Sequence, residues 1–251
     1  MIWVPGDCHG DFRRFSTRNF PQQKQMTRED FVVICGDFGL WHDTREERFW
    51  LDWLNGKPFT TLFVDGNHEH HDRLDRLPIK EWNGGLVHRI RPNILHLCRG
   101  QVFDLNGTKC FAFGGGETHD AKGILSREKN TARRRRQLKR RDTPFRVEGE
   151  DWWYQELPRV TEVRQGLDNL AWEDWSVDYV FTHCLPTDLQ QRLFPNYPVN
   201  VLTDFLRIIR DRTAHEGWFC GHYHQDVCLK DEKIHVLYEQ IIPIEGEADH
   251  E

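Results

Sequence analysis

Eight side chains suited to holding metal ions recur behind short apolar runs: Asp7, His9, Asp37, Asn67, His68, His183, His222 and His224. Most sit in glycine-flanked signatures: Gly6-Asp7-Cys8-His9-Gly10, Gly36-Asp37, Gly66-Asn67-His68-Glu69 and Gly221-His222-Tyr223-His224. Asp7/His9 and His222/His224 are spaced i, i+2. In extended chain that spacing puts both side chains on one face, so each pair is expected to close on one point. Mixed imidazole and carboxylate donors suit Mn, Fe or Zn better than Ca or Mg. A lone strand-end histidine is usually structural; eight such residues behind separate strands point to a metal site.

The elements that must position them read as alternating strands and helices. Ile2 to Pro5, Phe31 to Ile34 and Thr60 to Val64 are short β-branched or aromatic runs, each ending at a polar, glycine-containing turn. Thr44 and Glu47 form a capping-box pattern, Phe49, Trp50, Trp53 and Leu54 an apolar helix face, and Gly56 a stop. Val102–Leu105 and Thr108–Phe113 flank Asn106-Gly107, a hairpin signal. Tyr179 to Thr182 and Trp218 to Cys220 are further strands, and Lys233 to Tyr238 a late one. Val201, Leu202, Phe205, Leu206, Ile208 and Ile209 fit a helix face. Metal-capable residues therefore follow strand after strand at one end, where open α/β sheets place their sites.

Together, these motifs resemble the calcineurin-like metallophosphoesterase superfamily in order and spacing over residues 1–240. The resemblance implies an α/β fold, a four-layer α/β/β/α sandwich of two mixed sheets. It implies that Asp7, His9 and His224 hold one metal, that Asn67, His183 and His222 hold a second, and that Asp37 bridges them. Two cations about 3.5–4 Å apart need such an anionic bridge, and a hydroxide they share would attack phosphorus in line. His68 is implied as general acid, with Glu69 a candidate to fix its tautomer. The cofactors implied are two divalent transition metals, manganese first, with iron, zinc or nickel as alternatives.

The motif variants are similar to those of Ser/Thr phosphoprotein phosphatases and symmetrical diadenosine tetraphosphatases. Those families follow the bridging Asp with an Asp-Arg-Gly whose Arg clamps phosphate. Here Phe38-Gly39-Leu40-Trp41-His42-Asp43 follows Asp37, which points to a bacterial or phage-type branch. Arg45, or an arginine of the basic run Arg133–Arg141, is the candidate substitute. His119 and Asp120, after the triple glycine 114–116, and His42 and Asp43 are candidate rim residues; His119 is assigned to substrate binding.

Residues 117–160 are polar and basic and read as a cap or insertion in a single domain spanning 1–251. The run 133–141 carries seven positive charges in a chain of net charge -6. It reads either as a solvated helix face or as a surface for nucleic acid or a nucleoside polyphosphate. Trp152, Trp153 and Tyr154 beside it are either hydrophobic cover or a stacking surface.

Composition bounds the rest. With 251 residues, 38% hydrophobic and 12% aromatic, the chain is long and apolar enough for a folded core. No run has the length of a membrane span, and the N-terminus lacks the basic and apolar regions of a signal peptide. Seven cysteines, an odd number without a CxxC pair, argue against a disulfide framework and for the cytoplasm. Three functions follow. The first is a phosphatase acting on phosphomonoesters of a small molecule, nucleotide or phosphoprotein. The second is a phosphodiesterase or nuclease that holds nucleic acid on the basic run. The third is a non-catalytic metal-binding module.

Overall fold

The central strands are continuous apolar runs buried on both faces, and their two faces build the layers. The structure, a computed structural model, describes residues 1–39 and 42–244. Leu40, Trp41 and the acidic tail 245–251, expected to fray, lie outside the described residues. In chain order the first strands are β1 (Ile2–Pro5), β2 (Phe31–Cys35), β3 (Thr60–Val64), β4 (Ile79–Trp82), β5 (Gly85–Arg91) and β6 (Ile94–Leu97). The hairpin strands β7 (Gln101–Leu105) and β8 (Thr108–Phe113) follow, then the short β9 (Ile124–Leu125) and β10 (Arg146–Val147). Last come β11 (Tyr179–Thr182), β12 (Gly217–Cys220), β13 (Val227–Leu229), β14 (Ile234–Val236) and β15 (Ile241–Ile244).

A seven-stranded sheet runs β15-β1-β2-β3-β6-β5-β4, and a six-stranded one β13-β14-β12-β11-β8-β7. Both are mixed, with parallel strands inside and antiparallel strands at the edges. Val33 and Cys35 of β2 face the other sheet and pack with Leu62, Cys110, Phe181 and Phe219. Val32 and Ile34 face outward, onto Leu51 and Leu54 of helix α1 (Arg45–Asn55). On the far side Phe111, Val180 and Trp218 meet helices α4 (Val160–Trp172), α5 (Thr187–Leu193) and α6 (Val201–Arg212). The remaining helices are α2 (His71–Leu74) and α3 (Ala132–Arg140). The result is the four-layer α/β/β/α sandwich of two mixed sheets.

Two helix faces differ from the sequence reading. Thr44 caps α1 as expected, its hydroxyl accepting from Glu47 N at 3.0 Å. The buried face, however, is Leu51 and Leu54, and Phe49 is exposed. Phe49 stands about 200° round the helix from Leu51, because each residue turns about 100°. In α6 the buried apolar residues are Leu202, Phe205, Leu206 and Ile209; Val201, in the first turn, and Ile208, at the edge of the stripe, are exposed. The hairpin forms as expected, with Asn106 and Gly107 at positive φ.

Within 117–160, β9 and β10 pair in parallel and enclose α3. No residue of α3 is buried, and its first turn has no acidic residue to complement the helix dipole. Side-chain pairs tie the segment down instead: Arg135 to Glu150, Arg146 to Asp120 and Arg127 to Asp72. Trp153 is buried against His70 and is hydrophobic cover, whereas Tyr154 is exposed.

Candidate metal centre

Turns at the ends of β1, β2, β3, β11 and β12 bring the motif residues together. These turns are not extended chain. His9, Asp37, His222 and His224 all have positive φ, between 45° and 72°, a region unusual for residues with a Cβ and favoured where a site demands it. The expected extended geometry is thereby corrected: Asp7 and His9 still close on one point, with His9 Nε2 3.7 Å from Asp7 Oδ2, but through a turn. His222 and His224 diverge: His222 Nδ1 lies 3.2 Å from His183 Nε2, and His224 Nε2 lies 3.0 Å from His9 Nε2.

The loops are stitched to one another. The Asp37 carbonyl accepts from Cys8 N and His9 N. The Asp37 carboxylate accepts from His68 N at 2.7 Å, and the Asp7 carboxylate from His222 N at 2.9 Å. Glu69, fully buried, accepts from Phe38 N at 2.5 Å and Gly39 N at 3.2 Å. It thus holds the turn that carries Asp37. Two glycines are required by close approach. A Cβ on Gly36, at φ +95°, would lie 2.0 Å from His183 Nδ1, and one on Gly66 would lie 2.1 Å from Asp37 Oδ1.

Two groups of donor atoms result. Ligand atoms of Asp7, His9, Asp37 and His224 all lie within 4.8 Å of one another. On the other side, His183 Nε2 lies 3.3 Å from Asn67 Oδ1 and 3.5 Å from Asp37 Oδ1. Asp37 stands between the groups, its Oδ2 lying 3.7 Å from His9 Nε2. His183 Nδ1 donates to the Cys35 carbonyl at 2.8 Å, so its Nε2 lone pair faces the centre.

These residues fit a pair of divalent ions. Asp7 Oδ2 is buried with no hydrogen-bond partner, though it points at the ring of His224. Burial raises the Asp37 carboxyl well above the usual range, and Asp7 beside it raises it further. Burial pushes the Asp7 carboxyl up too, but His183 and His224 outweigh that and bring it below its ordinary value. Burial lowers His9 to about 4 and His222 well below an ordinary imidazole, so both offer lone pairs. Carboxylate, amide and imidazole donors converging on one place make a borderline donor set of the kind a divalent transition metal takes.

Around the centre, His68 packs edge-on to His9 at 5.1 Å. Burial, then His9 and Arg146, lower it to about 3. His119 lies against Tyr197 at 4.2 Å and His222 at 5.4 Å, at the rim. His42, Thr44 and Trp50 line a cleft of about 300 Å³ with His9 and Gly39. Arg45 is exposed at the start of α1 and does not line that cleft. Arg146 and Tyr197 are the neighbours that the motifs did not signal, Arg146 because it lies on β10 in the insertion, far from any motif. Cys8, Cys35, Cys184 and Cys220 are buried thiols whose proton affinity burial raises, so they act as small packing groups.

Comparison with known proteins gives the family. The calcineurin-like phosphoesterase family matches residues 1–226, and the chain belongs to that family. Lariat debranching enzyme A of Xenopus laevis is 28% identical over 130 residues, 45% of this chain and 23% of that protein. The lariat debranching enzyme of Schizosaccharomyces pombe is 27% identical over 129 residues, 45% of this chain and 25% of that protein. The matched region is thus about a quarter of the length of these relatives. Among solved structures, the phosphopantetheinyl hydrolase PptH of Mycobacterium tuberculosis aligns over 94% of this chain and 87% of its own, with 15% identity and a TM-score of 0.40.

Proposed function

We propose that this chain is a dinuclear metal-dependent phosphoester hydrolase. The observation that carries the reading is Asp37, whose two carboxylate oxygens face two different groups of ligand atoms. Two divalent ions held there, manganese first and iron, zinc or nickel as alternatives, would neutralise phosphoryl oxygens and acidify the attacking water. Asp7, His9 and His224 hold one side, Asn67, His183 and His222 the other. His68 protonates the leaving oxygen. Its free imidazole is neutral, and the negative charge of a bound phosphate draws a proton to it. Arg146, whose charge reaches both His68 and His119, helps to seat the phosphate. His119, at the rim against His222, is the proposed substrate contact; Arg45, exposed at the start of α1, remains a candidate for a larger substrate.

A compact phosphomonoester, of a nucleotide or a phosphoprotein, is the first substrate class, supported by the positive charge of Arg146 that acts on the acid. A specific observation favours a second, a phosphodiester in nucleic acid. Arg133, Arg136, Arg140 and Arg141 line an exposed groove of about 500 Å³ on and after α3, and the matched relatives are named for lariat debranching. No helix among the described residues is long and apolar enough to cross a membrane. The buried, unpaired thiols fit the cytoplasm.

The test compares p-nitrophenyl phosphate with its bis-ester on protein reconstituted with Mn²⁺, across a salt series. Monoester preference independent of salt supports the first class. Diester preference, with nucleic-acid binding that falls steeply with salt, supports the second. Cleavage of neither ester, nor of a nucleotide or RNA panel, overturns the hydrolase.

A further inference from the structure

A second cluster of ligand-type side chains lies on the antiparallel edge of the first sheet. His88 of β5 is paired directly with His96 of β6, and Cys98 follows two residues on, on the same face. His88 Nδ1 lies 3.0 Å from His96 Nδ1 and 3.9 Å from Cys98 Sγ. Donor atoms of all three lie within 4.8 Å of one another. Zinc–nitrogen and zinc–sulfur bond lengths in a tetrahedron require separations of about 3.3 Å between nitrogens and about 3.6 Å from nitrogen to sulfur. The cluster is within a few tenths of an ångström of both.

We propose that His88, His96 and Cys98 form a metal site separate from the dinuclear centre, taking a borderline-soft divalent cation such as Zn²⁺ on two imidazoles and a thiolate. The surroundings are those of a built site. His96 Nε2 lies 3.2 Å from Asp65 Oδ1. A carboxylate only accepts, so Nε2 carries the proton and Nδ1 turns its lone pair to the site, the usual support for a ligating histidine. Asp65 is fixed in turn by the buried Arg99. Carboxylates of Asp65, Asp75 and Glu162 face the cluster against guanidinium groups of Arg99 and Arg159. A cation is welcome there, the more so once the thiol has ionised.

Without the cation, His88 and His96 share one proton between their Nδ1 atoms, and Cys98 keeps its own. On binding, the thiol proton leaves to solvent and the His88 proton moves to Nε2, freeing three lone pairs for the ion. Three protein ligands leave one tetrahedral position open. The cluster opens onto a cavity of about 360 Å³. His71 and Gln101 line that cavity, and the buried His71 Nε2 and Gln101 Nε2 have no hydrogen-bond partner. Both suit a water or small anion on the open position.

The probes are Zn²⁺ and Co²⁺ themselves, added to metal-stripped full-length protein and followed by metal analysis after desalting and by absorbance. Wild type is expected to retain one more Zn²⁺ per chain than Cys98→Ser. The near-ultraviolet thiolate-to-cobalt band is expected in wild type and in Asp37→Asn, and not in Cys98→Ser. His88→Gln, which keeps the thiol, is expected to weaken that band's binding curve at least tenfold. Thermal unfolding of each variant checks that it is folded. Equal zinc content in wild type and folded Cys98→Ser, or a cobalt band that survives in that variant, overturns the site. Hydrolysis is not the readout, so failure here leaves the phosphoesterase reading untouched.

Discussion

Asp7, His9, Asp37 and Asn67 leave the first sheet at the ends of its parallel strands, in turns. His88, His96 and Cys98 lie along its antiparallel edge, on paired or ladder-continuing residues. The turn-built centre needs backbone that most residues avoid and loops that nearly touch, so glycines surround its ligands. The strand-built cluster needs neither. Its ligands sit in ordinary β geometry, and the pairing register aligns them. A metal centre made of turns therefore leaves a signature in the sequence. One made of strand faces leaves only an i, i+2 spacing that any strand can show.

That contrast can be broken by substitution. The largest effect after loss of a ligand is expected for His68→Ala, with turnover falling about 10²- to 10⁴-fold while two ions stay bound. Unchanged turnover, or ions lost with it, would contradict its role as acid. Gly66→Ala comes next. Its Cβ would collide with Asp37 Oδ1, and metal affinity is expected to fall about 10- to 100-fold, as when a ligand's support is removed. Gly123→Ala, where a Cβ meets open space, is the matched control and is expected to bind metal as wild type. Equal affinities in the two variants would show that crowding by glycine does not shape the centre. Cys98→Ser is expected to leave phosphoester hydrolysis close to wild type, because its cluster is separate; a large loss would join the two regions.

The smallest effect concerns Glu156, buried within the insertion and accepting from Thr118 N at 2.9 Å. Burial raises its carboxyl to about 8. Between its ordinary value of 4.5 and that pH, the folded chain holds a proton that the unfolded chain has lost. Its contribution to stability therefore falls as pH rises through that window. Glu156→Gln is expected to flatten the slope of melting temperature against pH. An unchanged slope would place the ionised carboxylate in the folded state.

Legibility followed the same division. β1, β2, β3, β11 and β12 were readable because each is a short apolar run cut off by a polar turn, and those turns carry the ligands. The edge strand β4 and its neighbour β5 were not: β4 has no buried residue, so hydrophobic alternation could not mark it. Without those strands, the facing of His88 and His96 was invisible. The four-layer arrangement came from the resemblance; periodicity alone could not stack two sheets. Arg146 escaped because tertiary packing, which no local pattern encodes, brings the insertion to His68. Glu69 was readable as a motif residue, yet its hydrogen bonds to the backbone of Phe38 and Gly39, distant in sequence, were not.

The central claim is that Asp37 joins two metal ions into one hydrolytic centre. The most direct test strips wild type and Asp37→Asn with chelator, restores Mn²⁺, and measures bound ions and p-nitrophenyl ester hydrolysis on the same samples. Wild type is expected to lose activity on stripping and regain it with Mn²⁺. Asp37→Asn is expected to bind fewer ions and stay at the uncatalysed rate. Stripped wild type that still hydrolyses the ester, or an Asp37→Asn variant that regains full activity with Mn²⁺, would contradict the account.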